Sequence, residues 1–98
     1  MVEKESIIEV LKKVLDPEIG LDVWSLGLIY NIDIEEKKVK VLMTFTTPMC
    51  PYGPQLMDDI RRHVSSVAGV GEVIIDLTFT PVWGADKMTE DARMALGI

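Results

Sequence analysis

The sequence predicts an α+β fold, a single α-β-β-α-β-α domain with a three-stranded mixed sheet and its second helix as crossover. Three observations predict it. Apolar residues recur at helical spacing in two stretches, Ile7 to Leu15 and Leu56 to Val67. They alternate at strand spacing in three more, Leu28 to Ile34, Val39 to Phe45 and Val73 to Phe79. A short charged run joins the first two strands, whereas a helix-length segment joins the last two, so the first pair should be antiparallel and the second parallel.

The first helix has a capping-box signature, Ser6 followed by Glu9, and an apolar stripe of Ile7, Ile8, Leu11, Val14 and Leu15. Asp16-Pro17 should end it, because the residue before proline avoids the helical region. Glu35-Glu36-Lys37-Lys38 reads as the hairpin turn. Pro48 to Gly53 is a loop of helix breakers, and the second helix starts near Pro54, a residue suited to a first helical position. Its stripe is Leu56, Ile60, Val64 and Val67, with Asp58 and Arg62 paired on the wet face. Ala68 to Gly71 is a turn. The last helix starts near Thr89, with Glu90 and Asp91 at its positive end and Gly97 as its stop. One echo stands out: Thr44-Phe45-Thr46-Thr47-Pro48 ends the second strand and Thr78-Phe79-Thr80-Pro81 ends the third.

Composition narrows the class. Ninety-eight residues, 48% of them apolar, suit one domain over residues 1–98, small enough to gain from a homodimer or a partner surface. A net charge of −6 repels phosphate backbones, so no nucleic-acid partner is expected. The single cysteine forms no intrachain disulfide, which fits a reducing compartment. No signal peptide and no apolar run of about 20 residues is visible, so the expected location is cytoplasmic, away from membranes.

Connectivity also locates a site. With parallel second and third strands, Asp16–Gly27, Thr46–Gly53 and Thr80–Met88 should meet at one edge of the sheet, an end that ligands favour. They bring Cys50, Trp24, Trp83, Asp16, Glu18, Asp22 and Asp86. Cys50 precedes a helix N-terminus, which favours its thiolate, and prolines flank it. A buried structural cysteine is the competing reading. A nucleophile would need a base within reach. The one histidine, His63, lies nine residues beyond Pro54, roughly 14 Å along the helix, so no enzyme is expected. Zinc takes four ligands and iron–sulfur clusters usually take four thiolates, so a cluster could be held only by sharing ligands with a second chain, a partner or a small molecule. On spacing alone Asp16 and Glu18 read as helix-end and turn residues, and Trp24 and Trp83 as core or contact surface.

Asp16-Pro17-Glu18-Ile19, Leu26-Gly27-Leu28-Ile29-Tyr30, Thr47-Pro48-Met49-Cys50-Pro51, Pro81-Val82-Trp83, Met88 and Leu96-Gly97, in this order, resemble the SufT/PaaD-like iron–sulfur assembly family. That domain also occurs in eukaryotic cytosolic iron–sulfur assembly adaptors and in front of some Mrp-type ATPases. The resemblance implies a cluster carrier or an adaptor to target apoproteins. Its implied partners are iron–sulfur assembly proteins and apo-iron–sulfur targets, and its implied cargo is a labile cluster shared between chains or with a partner. The family's cysteine falls on Cys50, and its acidic turn on Asp16 and Glu18. Thr47 and Trp83 complete the expected binding residues, with Trp24 and Asp86 as partner surface. Many members carry proline where this chain has Gly20. The chain closes on Leu96-Gly97 without the cysteine-bearing extension of PaaD-type relatives, which favours sharing. A second reading makes it an interaction module without a cluster, with Cys50 structural.

Overall fold

The computed structural model describes residues 2–47 and 51–97. Helix α1 spans Lys4–Leu11, strands β1 and β2 span Ile29–Glu35 and Lys38–Met43, and helix α2 spans Gly53–Ser65. Strand β3 (Glu72–Leu77), a single 3₁₀ turn (Ala85–Lys87) and helix α3 (Glu90–Leu96) follow. The sheet order is β1-β2-β3, with β1 antiparallel and β3 parallel to the central β2. The predicted element order and the crossover through α2 are therefore observed.

The first helix departs from expectation at both ends. Its cap is Glu3 rather than Ser6, and no side chain caps it. The Ser6 and Ile7 amides instead donate to the Glu3 carbonyl at 3.1 and 3.3 Å. The earlier start carries Val2 into the core, a gain that the Ser6–Glu9 capping box would have forfeited. The helix stops at Leu11, and an extended segment follows in which Val23 N–H donates to the Val14 carbonyl and Leu15 bridges Asp22. Alternate residues of extended chain point to opposite sides. Val14 is accordingly buried, while Leu15, expected in the stripe, is 56% exposed.

The hairpin register pairs Glu35 with Lys38, leaving Glu36-Lys37 as the turn, and Glu36 sits at φ 57°. A bulge separates Ile29 from Asn31 at the start of β1. Inward-facing Ile32, Val39, Val41 and Met43 pack with Ile7, Leu11, Leu56, Ile60 and Val64 in one buried cluster. Each such side chain contributes about 1.5–3 kcal/mol on burial. Val67 lies beyond the end of α2 but still packs against this core. Arg62 pairs with Asp58 at 3.3 Å, as its spacing suggested, and also with Asp59. The opposite sheet face carries Asn31, Asp33, Lys40 and Asp76, with Lys40 and Asp76 joined at 3.2 Å. At the C-terminus Thr89 caps α3 by accepting from Ala92 N–H (3.1 Å), and Gly97 adopts the left-handed conformation, as expected.

Candidate functional site at the strand-end edge

The ladder stops at Met43 and Leu77, two residues before the expected strand ends, yet the chains stay side by side. Thr78 N–H donates to the Met43 carbonyl and Thr44 N–H to the Leu28 carbonyl, both at 2.8 Å. The repeated Thr-Phe segments thus run alongside each other, and Phe45 meets Phe79 edge-on, with centroids 6.2 Å apart. Gly53, the first residue of α2, lies against the Phe45 ring so closely that a Cβ there would sit 2.7 Å from a ring carbon. That contact anchors the start of α2, and with it Pro51 and Tyr52, beside the ends of β2 and β3.

The third segment closes over the start of β1. Tyr30 Oη donates to the Pro81 carbonyl (2.9 Å), Trp83 Nε1 to the Leu26 carbonyl (2.7 Å), and Thr89 N–H to the Ser25 carbonyl (2.9 Å). Lys87 Nζ lies 5.5 Å from the Tyr30 ring centroid, within cation–π range. Gly27, at φ +75°, lets the Lys87 carbonyl approach to where a Cβ would stand, 2.1 Å away. The convergence expected from connectivity is therefore present in residues 22–30, 44–53 and 78–89. Sequence reasoning did not assign a role to Gly27, Gly53, Tyr30 or Lys87. The Leu26-Gly27-Leu28-Ile29-Tyr30 motif and the Thr-Phe echo were the available signals.

The expected site residues divide. Cys50 lies outside the described residues, between exposed Thr47 and exposed Pro51. Trp83 is at the edge, half-buried and fixed by its indole hydrogen bond. Asp86 is exposed on the 3₁₀ turn that covers Gly27. Trp24 is half-buried against the core, and with Lys4, Ile29 and Tyr30 it lines a small hollow at β1.

Asp16 is buried, and its Oδ1 accepts from the Glu18 and Ile19 amides at 2.8 and 3.3 Å. The bonds that build this turn run within residues 15–22, including Gly20 N–H to the Asp16 carbonyl (2.8 Å). The carboxylate of Asp16 is thus engaged in holding the backbone, while Glu18 is exposed. Gly20 has φ +83°, a conformation closed to proline, so this turn differs from the proline-bearing version common in the resembled family. Asp22 does similar work, its Oδ2 accepting from Ser25 N–H at 2.9 Å. His63 Nδ1 donates to the Asp59 carbonyl (2.8 Å) on its own helix. Among the described residues no group of three or more His, Cys, Asp or Glu is placed to hold a metal ion. Among them, too, no helix is long and apolar enough to cross a membrane.

The family model for iron–sulfur cluster assembly proteins matches residues 4–77. The chain belongs to that family. It is 47% identical over 95 residues to an Fe-S protein maturation auxiliary factor of Porphyromonas gingivalis, covering 96% of this chain and 90% of the relative. It is 35% identical to the auxiliary factor YitW of Bacillus subtilis, covering 97% and 94%. A solved domain of unknown function from Bacillus anthracis superposes with a TM-score of 0.91 at 32% identity, covering 97% of this chain and 92% of that one. A conserved hypothetical protein of Thermotoga maritima gives 0.86 at 44% identity, covering 99% and 96%. The resemblance to SufT-like factors and the α+β fold both stand on these matches.

Proposed function

We propose that this chain is a non-catalytic iron–sulfur maturation factor that passes a cluster to target apoproteins at the strand-end edge, with Cys50 as its key thiol. The supporting observation is the convergence of three segments at that edge. The residues on either side of Cys50 are tied to β2 and to the start of α2, and the Tyr30–Pro81 and Trp83–Leu26 bonds brace the neighbouring loops. The relatives named as Fe-S maturation factors cover almost the whole chain, which supports the same reading. The cluster is cargo here. One thiol per chain leaves most of its ligands to a second chain, a partner or a small thiol, and such shared ligation favours transfer over storage. Residues 1–98 act as one domain in the cytoplasm, with assembly proteins and apo-targets as partners.

Anaerobic reconstitution with iron and sulfide, beside Cys50→Ser, tests this. The wild type should gain visible absorbance and iron in proportion to chain, and transfer it to an apo-ferredoxin. The serine variant should do neither while melting at the same temperature. Equal iron in both would remove Cys50 from the mechanism.

The exposure of Tyr52, Leu77, Phe79 and Val82 around this edge favours a second reading, an adaptor that docks partners without carrying a cluster. That reading takes over if neither protein gains iron yet both bind an apo-target.

A further inference from the structure

Strand β3 is one edge of the sheet, and among the described residues no further strand pairs with it. The amides of Glu72 and Thr78 donate inward, to the Lys37 and Met43 carbonyls of the β2 side. In a parallel ladder the residues between them alternate. Val73, Ile75 and Leu77 therefore turn their N–H and C=O groups toward the open edge. Their side chains lie on the inner face, in register with buried Val39, Val41 and Met43, yet Val73 and Ile75 are only half-buried and Leu77 is 40% exposed. Natural edge strands are defended by lysine, proline, bulges or inward-pointing charge. The β1 edge has a bulge, whereas β3 reads Glu-Val-Ile-Ile-Asp-Leu with none of these devices.

We propose that β3 pairs antiparallel with β3 of a second copy, about a two-fold axis at Ile75, making a continuous six-stranded sheet. Charge selects both the register and the partner. A two-fold axis at Ile74 would set Glu72 opposite Asp76 of the other copy, and one at Asp76 would set the two aspartates face to face. Like charges directly opposed are destabilising. With the axis at Ile75, Val73 lies opposite Leu77 of the other copy and Ile75 opposite its own equivalent on the inner face. On the outer face Ile74 meets Asp76 and Glu72 meets Thr78, so no two carboxylates are opposed. The strand is thus self-complementary in one register. The contact is short, so the dimer is weak and concentration-dependent. This two-fold points the two strand-end edges in opposite directions, so each copy presents its own Cys50 site to its own partner. The pairing therefore does not depend on the proposed function.

Sedimentation velocity from about 5 to 500 µM tests it. The full chain should shift from monomer to dimer with rising concentration. Ile74→Glu should weaken the dimer about five- to tenfold, by placing a carboxylate opposite Asp76 at both symmetric pairs, and Ile74→Lys should tighten it by a similar factor. Circular dichroism confirms that both variants fold. Cys50→Ser should leave the dimer intact, which separates it from one bridged through Cys50. A monomer throughout the range overturns the proposal. So does a dimer that is lost in Cys50→Ser, or one weakened equally by both substitutions at Ile74.

Discussion

Replacing Gly27 by alanine should be among the most damaging single-methyl changes available to this chain, and a second glycine supplies the control. Gly27 and Gly20 both have left-handed φ, +75° and +83°. An L-residue in that region costs about 1–2 kcal/mol. They differ in surroundings. A Cβ at Gly20 meets nothing within 4 Å, whereas at Gly27 it would stand 2.1 Å from the Lys87 carbonyl oxygen and 2.6 Å from its carbon. Those are backbone atoms, so relief requires moving the 85–88 turn. That movement strains the Thr89–Ser25 and Trp83–Leu26 hydrogen bonds, each worth about 1 kcal/mol. The expected loss is then about 3–4 kcal/mol for Gly27→Ala against about 1–2 for Gly20→Ala. For a domain of this size about 1 kcal/mol shifts Tm by roughly 4–8 °C. Differential scanning calorimetry should show Gly27→Ala melting about 12–30 °C below wild type, and Gly20→Ala about 4–15 °C below it. If the two variants melt together, the close approach of the 3₁₀ turn contributes nothing, and the account of how the third segment is held over β1 fails.

Two further substitutions separate structure from recognition in the residues that the sequence put forward. Asp16→Ala leaves the Glu18 and Ile19 amides without their acceptor in a largely buried turn and should cost about 1–3 kcal/mol in urea denaturation; a loss below about 0.5 kcal/mol would mean that the turn holds itself. Trp83→Phe keeps the ring and removes the indole donor to Leu26, so stability should fall by about 1 kcal/mol. Partner binding should survive in Trp83→Phe, and its loss at unchanged stability would give the indole a direct role in recognition.

Connectivity carried most of what could be read in advance. A helix between two strands fixes them as parallel, and parallel strands end at the same edge whatever their side chains are. The meeting of residues 22–30, 44–53 and 78–89 was legible for that reason, as was the pairing of the Thr44-Phe45 and Thr78-Phe79 repeats. Local signals did worse where a distant contact competed with them. The Ser6–Glu9 box lost to the burial of Val2, and the helical stripe lost Leu15 once the chain turned extended to bridge Asp22. Gly27 and Gly53 were silent because a close approach belongs to the packed fold and leaves no mark on periodicity. The site follows the same division. Its position is a consequence of topology, and so is visible in one chain. Its chemistry is not contained in one chain, since a single thiol cannot complete a cluster. The acidic turn shows how far a motif can mislead on role: Asp16 stands in the most recognisable segment of the sequence, yet its carboxylate is engaged by its own backbone. What the motif preserves there is the shape of the chain leading into Leu26-Gly27, and that shape places Ser25 and Leu26 to accept the bonds that hold the third segment at the edge.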